Sequence, residues 1–111
     1  MYELSRNRWK ELKHFCLQYP EWSERYFELY GHTRGFGKDV TAKEGTARAD
    51  FIRAMLLIET TAIDTDKDYS WYIFLAVVGW LKELSGAEVD QDMLEPYLRK
   101  FYWLLSMRKG L

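Results

Sequence analysis

The sequence predicts an all-α fold, a small single-domain bundle of about five helices with a helix-turn-helix-like C-terminal half. Three observations predict it. Apolar residues recur three and four positions apart through most of the chain. No segment reads as a convincing strand. Gly and Pro fall where periodic segments begin or end.

The first helix is expected over residues 4–18, with Trp9, Leu12, Cys16 and Tyr19 at helical spacing on one face. Pro20 suits the first turn of a second helix, because its missing N–H would be unpaired there anyway. That helix, EWSERYFELY, puts Trp22, Tyr26, Leu29 and Tyr30 on one side, and Gly31 ends it. Residues 31–45, GHTRGFGKDVTAKEG, hold four glycines and no periodicity, so they form a loop, the one place for a linker.

A third helix is expected over 46–63, with a stripe of Phe51, Met55, Ile58 and Ala62, flanked by Ile52, Leu56 and Glu59. Residues 64–68 make an acidic connection. A fourth helix over 69–84 is apolar on every side between 71 and 81, so it is buried or docks a partner. Ser85-Gly86 ends it, and Asp90 caps a short turn through Met93 and Leu94. The last helix starts at Pro96, which breaks a backbone bond inside a helix, and runs to about Met107. The organisation is one domain over 1–111: an N-terminal helix pair (1–30), the Gly-rich loop (31–45) and a C-terminal helical half (46–111).

A chain of 111 residues is long enough for one core. Its 19 aromatics (5 Trp, 8 Tyr, 6 Phe) exceed what so small an interior holds. Some of Trp22, Tyr30, Phe36, Trp71, Trp80 and Trp103 must reach the surface, where Trp and Tyr anchor protein interfaces. A net charge of −1 excludes strong non-specific attraction to nucleic acid unless cations are concentrated in a patch. Cys16 is the single cysteine, which fits a reducing cytoplasm. The opening MYELSRNRWKEL has no apolar run and is not a signal peptide. The longest apolar run, 71–81, is 11 residues, too short to span a bilayer.

Asp64, Asp66 and Asp68 have calcium-loop spacing, but Tyr69 and Leu75 stand where such a loop needs Gly and Glu. A solvated connection with one Asp capping the next helix is the reading that fits. His14 and Cys16 are two apart and face different ways on a helix, so no zinc site is expected; His14 is exposed and Cys16 packed. GFGK at 35–38 lacks the rest of a phosphate loop, and no Ser-His-Asp grouping stands out. Neither catalysis nor a metal or cofactor is expected.

The segment EPYLRKFYWLLSMRK (95–109) is a helix with one greasy face and a basic end. Together with WKELKHFCLQYPEWSERYFELY (9–30) and TARADFIRAMLLIETTAIDTD (46–66) it resembles a family of small proteins of phages and prophages of Gram-positive bacteria. These resemble late-transcription activators whose C-terminal half is like region 4 of a sigma factor. The resemblance implies a helix-turn-helix closed by the last helix, and a bacterial cytoplasmic location. It also implies a partner in DNA or RNA polymerase, contacted through Arg99, Lys100, Arg108 and Lys109. Arg6, Arg8, Lys10 and Lys13 add to that patch if the two ends of the chain pack together.

The sequence departs from the family in the reading unit. Residues 76–84, AVVGWLKEL, read as one helix where relatives have a Glu-Gly turn. Where relatives carry Arg-Arg, this chain has VDQDMLEP. Glu83, Glu88, Asp90, Asp92 and Glu95 against Lys82 give a local charge of −4. Carboxylates repel phosphate. The second reading is therefore a protein-binding inhibitor of a host nucleic-acid-handling enzyme, an anti-CRISPR protein against a CRISPR effector being one example. It would bind through Asp90, Asp92, Glu95, Trp22, Tyr30 and Trp103. A homodimer is left open.

Overall fold

The computed structural model describes residues 2–33, 35–36, 50–84 and 91–110. Among these the fold is all-α, with five helices of nine residues or more, one single turn and no strand. The helices are α1 (Arg6–Leu17), α2 (Tyr19–Tyr30), α3 (Asp50–Thr65), α4 (Ser70–Val78), α5 (Leu81–Leu84) and α6 (Gln91–Arg108). Most of the Gly-rich loop, and Asp90 with Glu88, lie outside the described residues.

Local chemistry sets each boundary. Ser5 caps α1, its hydroxyl accepting the Arg8 N–H at 3.2 Å. Pro20 sits in the first turn of α2, as the sequence requires. Gly31 ends α2 at φ +76°, its N–H donating to the Phe27 carbonyl at 2.7 Å. That left-handed geometry costs glycine nothing. Asp66 Oδ1 accepts the N–H groups of Asp68 and Tyr69 at 2.9 and 3.0 Å and orders the turn before α4; the expected Asp cap is not formed, since the N-cap is Tyr69 and no side chain caps the helix. The acidic connection thus has a structural use, and Asp64 belongs to α3.

Two boundaries differ from the sequence reading by more than two residues. Residues 69–84 are not one helix. Gly79 takes φ +86° and ends α4, and the Trp80 N–H donates back to the Leu75 carbonyl at 2.9 Å. This closure satisfies the last carbonyls of α4 and turns the chain into α5. The apolar composition around Gly79 concealed the stop. The last helix begins at Gln91, not Pro96, which lies inside it. The proline forfeits one backbone bond near an exposed helix start, and the buried Leu94, Phe101 and Leu105 hold the helix in place regardless.

Leu12, Cys16, Tyr19, Met55, Ile58, Ala62, Ile73, Phe74, Leu75, Val77, Val78, Phe101 and Leu105 belong to one continuous core cluster. α4 lies against α1, α3 and α6, and α6 also packs on α1 and α3. α4 is accordingly the central element, as its apolar sequence requires, although Trp71 at its start is 41% exposed. The stripe of α3 is buried at Met55, Ile58 and Ala62, and half-buried at Phe51. The expected stripe of α2 is buried only at Tyr26; Leu29 is 61% exposed, because nothing described covers the far side of the helix. Tyr19 donates from its hydroxyl to the buried Glu59 carboxylate at 2.5 Å, tying α2 to α3 across the core.

Candidate partner-binding face

The first two turns of α6 form a ridge between two clefts. Asp92, Glu95 and Arg99 recur three and four positions apart, so a helix sets them on one side. They line a cleft of about 450 Å³ between α1, α4 and α6. Its apolar wall is built from Trp9, Leu17, Val77, Leu98 and Tyr102, and its polar rim adds Lys13. Leu17 is 55% exposed here. Glu95 and Arg99 pair at 3.1 Å as an exposed (i, i+4) bridge. Such a pair contributes only about 0.3–0.5 kcal/mol, so it can open to a partner at little cost.

Met93, Leu94 and Tyr97 face the second cleft, of about 310 Å³, which Tyr69 and Tyr72 complete from the start of α4. The Tyr69 and Tyr97 rings lie 5.1 Å apart. Sequence reasoning missed this site. Its only signal was the pairing of Tyr69 and Tyr72 with Met93 and Tyr97, each pair at helical spacing, which became meaningful once α4 met α6.

The two ends of the chain do pack together. Trp9 meets Tyr102 at 4.8 Å and Tyr2 meets Trp103 at 5.1 Å between ring centres. Half of the cations named from sequence, three of the four at the C-terminal end among them, are nevertheless engaged within the molecule. Arg108 pairs with Asp64 and donates to Thr61 Oγ1 at 3.2 Å. Lys109 Nζ sits 3.8 Å above the Phe15 ring. Arg99 is held by Glu95, and Arg8 pairs with Glu11 at 3.3 Å. Lys100 is half-buried, and Arg6, Lys10 and Lys13 are exposed.

The remaining residues named as protein-binding are dispersed. Asp92 and Glu95 are exposed on the cleft rim. Trp22 is half-buried against Phe15 at 5.5 Å, and Trp103 rests on Tyr2. Tyr30, 39% exposed, stacks on Tyr26 at 4.6 Å. None of these three lines either cleft.

Two interior groups are held in their neutral forms. Cys16 is fully buried, and burial pushes its thiol far above the ordinary range, against a smaller opposing pull from Lys109. Burial raises the Tyr102 phenol likewise, with Cys16 adding to the effect. His14 is exposed, as its helical position requires. Among the described residues no His, Cys, Asp or Glu cluster is arranged to hold a metal, and no helix is long and apolar enough to cross a membrane. No protein-family model, curated protein or solved structure matches this chain.

Proposed function

We propose that this chain is a non-enzymatic regulator of the phage type that acts on the transcription machinery through protein contact, with the start of α6 as its contact surface. One observation carries the reading. The helix that would read DNA presents Asp92, Met93 and Glu95 at its exposed start, while Arg108 and Lys109 are taken up by Asp64 and Phe15 and Arg99 stands beside the Glu95 carboxylate. A DNA-reading helix needs free cations or amides at that end. An interface needs apolar anchors with a polar rim, and the two clefts beside the ridge supply them.

The same exposed carboxylates favour one other reading. Acidic side chains at a helix start can occupy a cationic nucleic-acid channel in place of phosphate, as an inhibitor of a host nucleic-acid-handling enzyme would.

The test uses purified RNA polymerase from a Gram-positive bacterium, a duplex DNA and a purified CRISPR effector, each titrated against the intact protein over a salt series. Binding to polymerase that weakens at least tenfold in Asp92→Asn/Glu95→Gln supports the first reading. Binding to the effector alone, lost in the same variant, moves the assignment to the inhibitor. DNA binding with a steep log–log salt slope, flattened by about one unit per cation when Arg99, Lys100, Arg108 and Lys109 become Gln, overturns both.

A further inference from the structure

We infer that the tyrosine cleft between the starts of α4 and α6 receives a single cationic side chain, lysine or arginine, from a protein partner. The inference rests on reading this face as a protein contact and names the chemistry of what enters it. Three tyrosines, Tyr69, Tyr72 and Tyr97, surround an opening of about 310 Å³ floored by the buried Leu94. That volume is at the lower end of known ligand sites and suits one long side chain better than an extended ligand. Tyr69 is 45% exposed and Met93, on the opposite lip, 68%, so the entrance faces solvent. Tyr69 and Tyr97 stand 5.1 Å apart with planes inclined by 36°, too close for a cation to enter between them, so it would lie across their outer faces and edges with its methylene stem along Leu94.

The charge around the cleft has the matching sign. Asp66 and Asp68 sit in the turn that leads into Tyr69, and neither forms an ion pair among the described residues. Lys67 between them is exposed and offsets one of the two. Burial first, and then the nearby carboxylates of Asp66 and Asp68, hold the Tyr97 phenol above the usual tyrosine range. Among the described residues no arginine or lysine lines the cleft. A plain apolar side chain would gain from the floor alone. A cation with an apolar stem gains from floor, rings and rim together.

The probe is the capped peptide Ac-Gly-Leu-Arg-Leu-Gly-NH2, with lysine, citrulline and norleucine versions, titrated into the intact protein. Ring protons of Tyr69, Tyr72 and Tyr97 and the Met93 methyl are followed by nuclear magnetic resonance. Arginine and lysine peptides should shift these signals and bind about tenfold more tightly than the citrulline and norleucine forms, with the difference shrinking as salt rises. Tyr97→Leu should abolish the preference. Asp68→Asn, on the exposed rim, should weaken it without altering the fold. Equal binding of the four peptides would make the cleft a plain apolar groove and overturn the assignment. So would an absence of shifts, or shifts of the same rings on raising protein concentration alone, which would make the occupant a second copy of the chain. The titration needs no polymerase, so failure of the polymerase contact and failure of the cleft are separately visible.

Discussion

Phe74→Ala should be the most damaging single truncation in α4. The ring is 2% exposed and has four aromatic neighbours: Phe36 at 4.6 Å, Tyr19 at 4.9 Å, Trp71 at 5.8 Å and Trp80 at 6.3 Å. Removing a buried Phe costs about 3–5 kcal/mol, the sum of lost transfer energy and the cavity left behind. Each favourable aromatic pair adds about 0.5–1.5 kcal/mol beyond area, which places this site near the middle or top of the range. A domain of this size has only about 5–15 kcal/mol of total stability, so a loss of roughly 4 kcal/mol removes about a quarter or more of it. At about 4 °C per kcal/mol the Tm should fall by about 15 °C. Thermal melts by circular dichroism and urea titrations measure both quantities. Trp71→Ala is the control: the same aromatic cluster, but a side chain 41% exposed, for which about 1 kcal/mol is expected. A Phe74→Ala protein melting within two or three degrees of the parent, or equal losses at both positions, would refute the placement of α4 at the centre of the core.

Two further outcomes test the turn and the buried ionisable groups. Gly79→Ala should lower the Tm by about 5–10 °C, because the left-handed φ of +86° strains any L side chain and its Cβ would meet Leu17 Cδ2 at 3.3 Å; an unchanged Tm would mean that α4 and α5 run on as one helix. Stability should also fall with rising alkalinity. Cys16 and Tyr102 both have folded pKa values raised by burial, so above about pH 9 the unfolded chain releases protons that the folded chain retains, first from the thiol and then, near pH 10, from the phenol. Each such group lowers stability by up to about 1.4 kcal/mol per pH unit beyond its unfolded pKa. Urea midpoints from pH 7 to 11 read this directly, and Cys16→Ala should remove the earlier part of the decline; a flat profile would mean that the thiol and phenol reach water.

Much of this architecture is fixed by local chemistry, and for that reason was legible in the sequence. Pro20 and Gly31 set helix ends with their own ring or backbone freedom, and need no distant partner; Ser5 caps α1 by equally local chemistry, although the apolar pattern put the helix start at residue 4. The spacing of Met55, Ile58 and Ala62 states which face of α3 is buried, because a helix has one period. The buried Cys16 and exposed His14 follow from the same geometry. What the sequence left unsettled depends on contacts between distant segments. Gly79 as a stop and Pro96 as an interior residue are decided by competition between local preference and packing. A left-handed glycine wins where the chain must turn into α5, and the anchoring of Leu94, Phe101 and Leu105 wins over one lost backbone bond. The fate of the basic residues was likewise invisible. Arg108 and Asp64 are 44 positions apart in the chain, and Lys109 reaches Phe15 only because α6 lies along α1. The tyrosine cleft belongs to this second class. Its residues come from two helices whose approach is dictated by the burial of the apolar faces of α4 and α6, and a one-dimensional pattern carries no record of which exposed residues that burial brings together.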